Sequence, residues 1–345
     1  MATIRSLAYS HNSAICFMNM GGPTTLCEVQ PFLTRLFTDP DIIPLGPFQS
    51  TIGKWIARRR TPKIQASYSA IGGGSPIRHW STVQAQSICK YLDKTTPETG
   101  PHVPYIMFRY ASPLTNETME QMLRDGVERA VAVTMYPQYT CSTTGSNLND
   151  IYHWSKKLDP HGRIKWSVID RWFNHPSLVK TFAEHIRDSL KTYADPEPVI
   201  ILFSAHSLPM SQVRKGDTYV MEVASSVSSI MQDLGTKNPY RLTWQSKVGP
   251  ASWMEPQTID MLRGLAKSGK KNVLVVPIAF TSDHIETLFE LDLEYGEEVK
   301  ELGLSGYKRV ESFNDDERFS QRLAGLVKDH LHSGEGCSQQ MLLRC

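Results

Sequence analysis

At 345 residues, with 40% hydrophobic and 21% charged side chains, the chain has the make-up of a soluble globular protein large enough for two ordinary domains. Its net charge of +2 gives no pull toward nucleic acid, and no apolar run approaches the roughly 18–20 residues that span a bilayer. Six cysteines without a CxxC pair argue against a secreted disulfide framework and for a reducing, intracellular compartment.

The first 27 residues hold no acid and a single arginine, Arg5, which makes a poor transit peptide. The apolar stretch 14–20 is too short for a secretory signal and runs into Gly21-Gly22-Pro23. From there, short β-branched runs alternate with helical stretches. Runs 13–20, 105–108, 130–136, 164–169, 199–203, 242–244 and 273–280 have the continuous apolarity of buried parallel strands. Segments 114–129, 178–193 and 220–234 have helical length and periodicity. The alternation predicts an α/β fold with parallel sheets, arranged as two doubly wound halves or as one larger sheet.

Polar residues capable of chemistry gather just after these strands. They are Asn19-Met20-Gly21-Gly22, Arg109-Tyr110, Pro137-Gln138-Tyr139, Ser204-Ala205-His206-Ser207, Gln245-Ser246-Lys247 and Thr281-Ser282-Asp283-His284. Open α/β sheets bind ligands at the carboxyl ends of their strands, so these segments are expected to meet at one cleft. Segment 41–60 differs. It joins Ile42, Ile43, Leu45, Phe48, Ile52, Trp55 and Ile56 to Lys54 and Arg58-Arg59-Arg60. It reads equally as a membrane- or ligand-facing lip and as a core helix with basic residues near its C-terminus. Gly72-Gly73-Gly74-Ser75-Pro76 lacks the lysine of a phosphate-binding loop, and no glycine fingerprint follows any strand.

His206 follows a buried strand in a turn of small residues, where an imidazole can exchange protons near neutral pH or ligate a metal. A lone histidine is more often structural, but its strand-end position favours a functional role. His175, before Pro176, reads more as a loop or helix-cap residue. Glu286, Glu290, Glu294 and Glu298 recur every fourth position, so an α-helix would stack them on one face. No lysine or arginine lies between Asp283 and Glu298 to relieve their repulsion. A bare ladder of this kind is usually a solvated face. Delivered together with Asp283 and His284, it becomes a candidate track for a hard or borderline cation.

Ser204-Ala205-His206-Ser207-Leu208-Pro209 followed by Ser282-Asp283-His284-Ile285-Glu286-Thr287-Leu288-Phe289-Glu290-Leu291 closely resembles the ferrochelatases, which insert ferrous iron into protoporphyrin in the last step of haem synthesis. The resemblance includes Asn19-Met20-Gly21-Gly22-Pro23, Arg59-Arg60-Thr61-Pro62-Lys63-Ile64, Gly72-Gly73-Gly74-Ser75-Pro76, Phe108-Arg109-Tyr110, Tyr136-Pro137-Gln138-Tyr139 and Trp244-Gln245-Ser246-Lys247-Val248-Gly249-Pro250. Several long motifs in order make it specific, and it is most similar to the animal and fungal branch. It implies two Rossmann-like lobes of the chelatase fold with the macrocycle between them. Residues 13–160 with 308–332 would form the first lobe, with 41–60 as its lip. Residues 161–307 would form the second lobe, and 333–345 a remnant of a cluster-binding tail.

By the same resemblance, His206 and Glu286 face each other across the porphyrin, with His206 taking protons and Glu286 ending the iron route. Asp283 and His284 support Glu286, Glu290 and Glu294 line the track, and His175 is a lesser catalytic candidate. Arg59, Arg60, Tyr68 and Ser75 match positions near the porphyrin carboxylates or the closing lip. Met20, Arg109, Tyr110 and Trp253 match pocket-lining positions, although core packing is the simpler reading of Met20 and the aromatics. The implied substrates are protoporphyrin IX and Fe(II). The implied setting is a homodimer in peripheral contact with the matrix side of the mitochondrial inner membrane.

Animal members bind a [2Fe–2S] cluster through one mid-chain cysteine and three near the C-terminus. Cys141 matches the first and Cys345 the second, while Cys337 matches a nearby non-ligand. Four thiolates are the norm, so this chain is expected to carry no stoichiometric cluster, with truncation the simpler cause. Gly325 stands where relatives can carry an acid. Two other readings are a chelatase for another metal or tetrapyrrole and a carrier of haem or metal that does no chemistry.

Overall fold

The computed structural model describes residues 13–43, 45–194 and 198–337. In chain order the strands and α-helices are β1 (Ser13–Asn19), α1 (Val29–Thr38), α2 (Gln49–Ala70), α3 (Ile77–Thr95), β2 (His102–Phe108), α4 (Thr115–Arg124), β3 (Arg129–Thr134), α5 (Ser146–Leu158), β4 (Lys165–Ile169) and α6 (Pro176–Leu190). There follow β5 (Ile200–His206), α7 (Met210–Arg214), α8 (Tyr219–Leu234), β6 (Tyr240–Gln245), α9 (Thr258–Lys267), β7 (Asn272–Pro277), α10 (Gly296–Glu301), β8 (Gly306–Arg309) and α11 (Glu317–Ser333). The apolar runs read from the sequence are the strands of two four-stranded sheets, ordered β2-β1-β3-β4 and β6-β5-β7-β8, with every neighbouring pair parallel. The two orders are the same, so the α/β fold repeats one winding pattern twice.

Three features differ from the sequence reading. β8 was not expected, because Gly306-Tyr307-Lys308-Arg309 is an edge strand with only Tyr307 buried and lacks an apolar run. β4 pairs with β3, Val131 against Ser167, so a lobe division at 160/161 falls one strand early. The helical stretch 114–129 also ends sooner than its periodicity suggests. Gly126 adopts φ +72°, and the Val127 N–H turns back to the Met122 carbonyl, which closes α4.

One buried cluster crosses between the sheets. Ile15, Phe17 and Val133 of the first meet Ile201, Phe203 and Val276 of the second through Phe182, Phe313 and Phe319. α11 packs on both α3 and α6 and so ties the halves together. Ahead of them, α1 and α2 pack closely at Gly53, where a Cβ would collide with the Phe37 carbonyl.

α11 begins at Asp316, whose carboxylate accepts the Arg318 and Phe319 N–H groups and lies 2.7 Å from both Arg318 Nη2 and His185 Nε2. Burial alone would raise its pKa, but Arg318, His185 and the backbone donors hold it well below the usual carboxylate range. Asp316→Ala is expected to cost about 1–2 kcal/mol of stability, measured by denaturant unfolding at neutral pH. A depressed carboxylate stabilises above its unfolded pKa and loses that contribution as pH falls through the folded value. The difference from wild type should therefore shrink in strong acid, and a difference independent of pH would count against the charge as its cause.

Candidate active site

β5 is buried along Ile200–Ala205 and opens only at its last residue, His206. Buried hydrogen bonds hold this strand end: Ser204 Oγ donates to Gln245 Oε1 at 2.6 Å, and the Ser207 N–H donates to the Gln245 carbonyl at 2.8 Å. The His206 ring meets Trp253 edge-to-face at 6.5 Å, and its Nδ1 lies 2.9 Å from Glu286 Oε2. His206 and Glu286 are separated by 80 residues in sequence, yet they face each other directly.

The acidic segment is not the α-helix that its fourfold spacing predicts. Glu286–Tyr295 winds as a π-helix, a form that often marks functional sites. Backbone bonds there reach the fifth residue, so every fourth side chain falls short of a full turn and the glutamates fan out. Glu286 and Glu290 turn to the end of β6, Glu294 is exposed, and Glu298, in α10, pairs with Arg263 of α9. Arg309, from β8, lies 3.1 Å from Asp283 and 2.7 Å from Asp292. Distant arginines thus relieve the repulsion that no local residue could.

Electrostatics separates the two inward glutamates. Burial would raise Glu286, but the charge and hydrogen bond of His206 hold it at about 2. Burial would likewise lower His206, and Glu286 outweighs it, so the imidazole lies above its ordinary value. Glu290 is pushed up by burial and then by the charge of Glu286. His284 is pushed down by burial, which outweighs Glu286. Its Nδ1 faces the Ser282 carbonyl at 3.2 Å. A carbonyl only accepts, so Nδ1 carries the proton and Nε2 keeps a lone pair.

Asp283 accepts from Ser312 (2.8 Å), Asn314 (2.8 Å) and Thr287 (3.0 Å). These bonds brace the turn that leads into Glu286. Opposite, in the first half, the Tyr136 hydroxyl accepts the Met20 N–H at 2.9 Å and donates to Asn19 Oδ1 at 2.7 Å. Burial and then the Glu286 charge raise the phenols of Tyr68 on α2 and Tyr136 beyond β3, which places both halves within the electrostatic reach of Glu286.

The other candidates have partners of their own. Arg109 Nε lies 3.1 Å from Ser146 Oγ, and its Nη2 is 2.5 Å from Asp39. Tyr110 is wholly buried and donates to Asp39 at 2.6 Å, so it is a core residue and presents no surface to a ligand. His175 caps α6 by accepting the Ser177 N–H. Ser75 is buried in the turn before α3, where its N–H donates to the Pro23 carbonyl. Arg59 stacks on Trp55 at 5.5 Å and Arg60 over Phe37 at 5.4 Å. Cys345 lies outside the described residues. A surface depression of about 470 Å³, lined in part by Cys89, Lys90, Lys94 and His102, contains none of the candidate residues.

Sequence reasoning set Gln245 and Ser246 in a strand-end segment expected at the cleft and Tyr136 in a family motif, but gave none of them, nor Tyr295, a role of its own. Ser246 adopts φ +65°, a conformation that costs a non-glycine residue about 1–3 kcal/mol and tends to persist at functional sites. The one local signal was its place directly after a strand.

The fold and sequence both have counterparts. SirB from Bacillus subtilis, in a structure with Fe3+, superimposes with a TM-score of 0.51 over 94% of this chain and 98% of that one, at 11% identity, a likeness of fold alone. A mitochondrial ferrochelatase of Xenopus laevis is 54% identical over 96% of this chain and 82% of its own length. Mitochondrial ferrochelatases of Homo sapiens (52%, over 96% and 79%) and Schizosaccharomyces pombe (49%, over 99% and 81%) are similar. The family profile described as Ferrochelatase matches residues 12–331, which takes in both sheets, the π-helix and most of α11. With that span covered and about half of its residues shared with animal and yeast enzymes, the chain belongs to the ferrochelatase family.

Proposed function

We propose that this protein is a protoporphyrin ferrochelatase, a lyase that inserts Fe(II) into protoporphyrin IX to give protohaem in the last step of haem synthesis. Family membership supports the reaction, and the His206–Glu286 pair, 2.9 Å apart beyond the ends of β5 and β7, is the observation that carries the site. Metallation requires removal of two pyrrole protons, a macrocycle bent so that its nitrogens are reachable, and iron stripped of water. His206 is the proton acceptor in this reading. Held above its ordinary pKa by Glu286, it keeps a proton well once it has taken one. Glu286 and Glu290 supply oxygen donors suited to weak, transient binding of Fe(II), and exposed Glu294 stands at the outer end of the route. Among the described residues no three His, Cys, Asp or Glu side chains form a ready metal cage. Trp253 and Met20 flank the porphyrin, and Arg59 and Arg60 approach its carboxylates.

Anaerobic conversion of Fe(II) and protoporphyrin to haem is the direct test. Faster turnover of Co(II), Ni(II) or coproporphyrin would favour a related chelatase, and porphyrin binding without turnover would favour a carrier.

The relatives are mitochondrial, and among the described residues no helix is long and apolar enough to cross a membrane. Peripheral contact with the inner membrane on its matrix side is our reading, with α2 as the lip, and a homodimer is the assembly. Phe48, Ile52 and Trp55 are 67%, 37% and 59% exposed, close to Lys54, Arg58 and Arg59. Ile56 instead packs inward against the α1–α2 core. Changing Phe48, Ile52 and Trp55 together to serine should weaken co-sedimentation with anionic vesicles by at least about tenfold, since each inserted side chain contributes ~1.5–3 kcal/mol. Unchanged co-sedimentation, or an unfolded variant, would count against the lip.

The cysteines fit a [2Fe–2S] cluster poorly. Cys141 opens the π-helical turn Cys141–Gly145, and its N–H donates to Asp217 at 3.0 Å. Cys337 bridges to Val168 on the edge of β4. Among the described residues Cys141 alone matches a ligand position, which is not the four-thiolate set of such a cluster, and no step of the reaction is routed through one.

A further inference from the structure

We infer that Ser246 is a latch on the iron route, a positioning residue that keeps Glu286 and Glu290 bonded to protein so that iron is held weakly and passed on. The inference rests on the reading of these two glutamates as the iron route. Ser246 Oγ lies 3.0 Å from Glu286 Oε2 and 2.5 Å from Glu290 Oε2, and the Ser246 N–H donates to Glu290 Oε1 at 2.8 Å. The Tyr295 hydroxyl donates to Oε1 of Glu290 as well, and Gln245 Nε2 reaches Oε2 at 3.5 Å. Both oxygens of Glu290 are therefore engaged by protein groups, and the Ser246 hydroxyl, with one proton to give, sits between the two carboxylates.

The backbone makes this possible. At φ +65° the Ser246 main chain turns its N–H and its side chain toward the same carboxylate. β6 fixes the turn, because Gln245 is wholly buried and is bonded both to Ser204 and to the Glu286 carbonyl. A metal ion that takes Oε2 of Glu286 or of Glu290 competes with the serine hydroxyl for it. Competition from a charge-assisted hydrogen bond weakens metal binding by about a factor of ten or more. A chelatase benefits, since iron bound tightly at the carboxylates would not move on to the porphyrin.

Two variants separate hydroxyl from backbone. Ser246→Gly deletes the hydroxyl and relieves the backbone, whereas Ser246→Ala deletes the hydroxyl alone. Mn(II), an oxygen-preferring probe, is titrated into the porphyrin-free enzyme and followed by loss of the free-ion electron paramagnetic resonance signal. Both variants should bind Mn(II) at least about tenfold more tightly than wild type. Turnover at saturating Fe(II) should fall, while the Michaelis constant for porphyrin stays put. Adding Glu290→Gln should abolish the gain. Unchanged or weaker Mn(II) binding in both folded variants overturns the latch, as does a gain that survives Glu290→Gln. Glu290→Gln alone tests the underlying route: an unchanged Michaelis constant for iron in that variant means that the route itself is misplaced, whatever Ser246 does.

Discussion

His206→Ala and Glu286→Gln are each expected to lower porphyrin metallation at least about a hundredfold while leaving the fold intact, the scale at which positioned acid–base groups contribute. Both side chains sit at the mouth of the site and not in the core, with His206 37% and Glu286 23% exposed, so neither change opens a cavity. Near wild-type turnover at saturating iron and porphyrin would remove the pair from the site. The pH profile gives a second readout. His206 must be neutral to accept a proton, and its pKa is raised, so kcat/KM should rise with pH through a value above the ordinary imidazole range. In Glu286→Gln the larger charge that raises His206 is gone and burial is opposed only by the smaller effect of Glu290, so the acidic limb should move to lower pH even as the plateau drops. A limb that stays in place would assign it to another group.

Arg171→Leu is expected to cost about 3–5 kcal/mol of folding stability, because it strands a buried carboxylate. Arg171 Nη1 lies 2.6 Å from Glu222 Oε1, with the two side chains only 7% and 6% exposed. The guanidinium also reaches Asp170 at 3.1 Å and stacks over Tyr139 at 4.4 Å. Glu222 in turn accepts the Tyr139 N–H at 2.7 Å and the Thr218 hydroxyl at 2.8 Å. The loop after β3 is thereby fastened to α8. Burial outweighs Arg171 and lifts Glu222 above the usual carboxylate range, so Glu222→Gln should cost less than the arginine change. Denaturant unfolding with two probes measures both. A loss below about 1 kcal/mol in Arg171→Leu would mean that the pair is relieved by water or rearrangement.

The sequence by itself determined the fold class and pointed to the candidate site. β1, β3, β5 and β7 are buried on both faces, so their continuous apolarity is a local record of a global position. His206 was legible for the same reason, since a polar residue ending such a strand stands where a parallel sheet opens. Edge strands carry a weaker record: runs 105–108 and 164–169 marked β2 and β4, but other edges stayed hidden. β8 and the first residues of β6 keep one side in water, and their mixed polarity hides them.

Only the tertiary structure decided which groups share charge and donors. The fourfold glutamate spacing predicts one acidic stripe, but π-winding and the partners Ser246, Tyr295 and Arg263 divide it into a latched pair, an exposed residue and a surface ion pair. Tyr110 matched a pocket position in sequence and is core in space, because Asp39 takes its hydroxyl. Periodicity reports whether a segment is buried. The carboxylate that an arginine or serine will meet lies tens of residues away, and only the folding of the second half brings the two to about 3.0 Å.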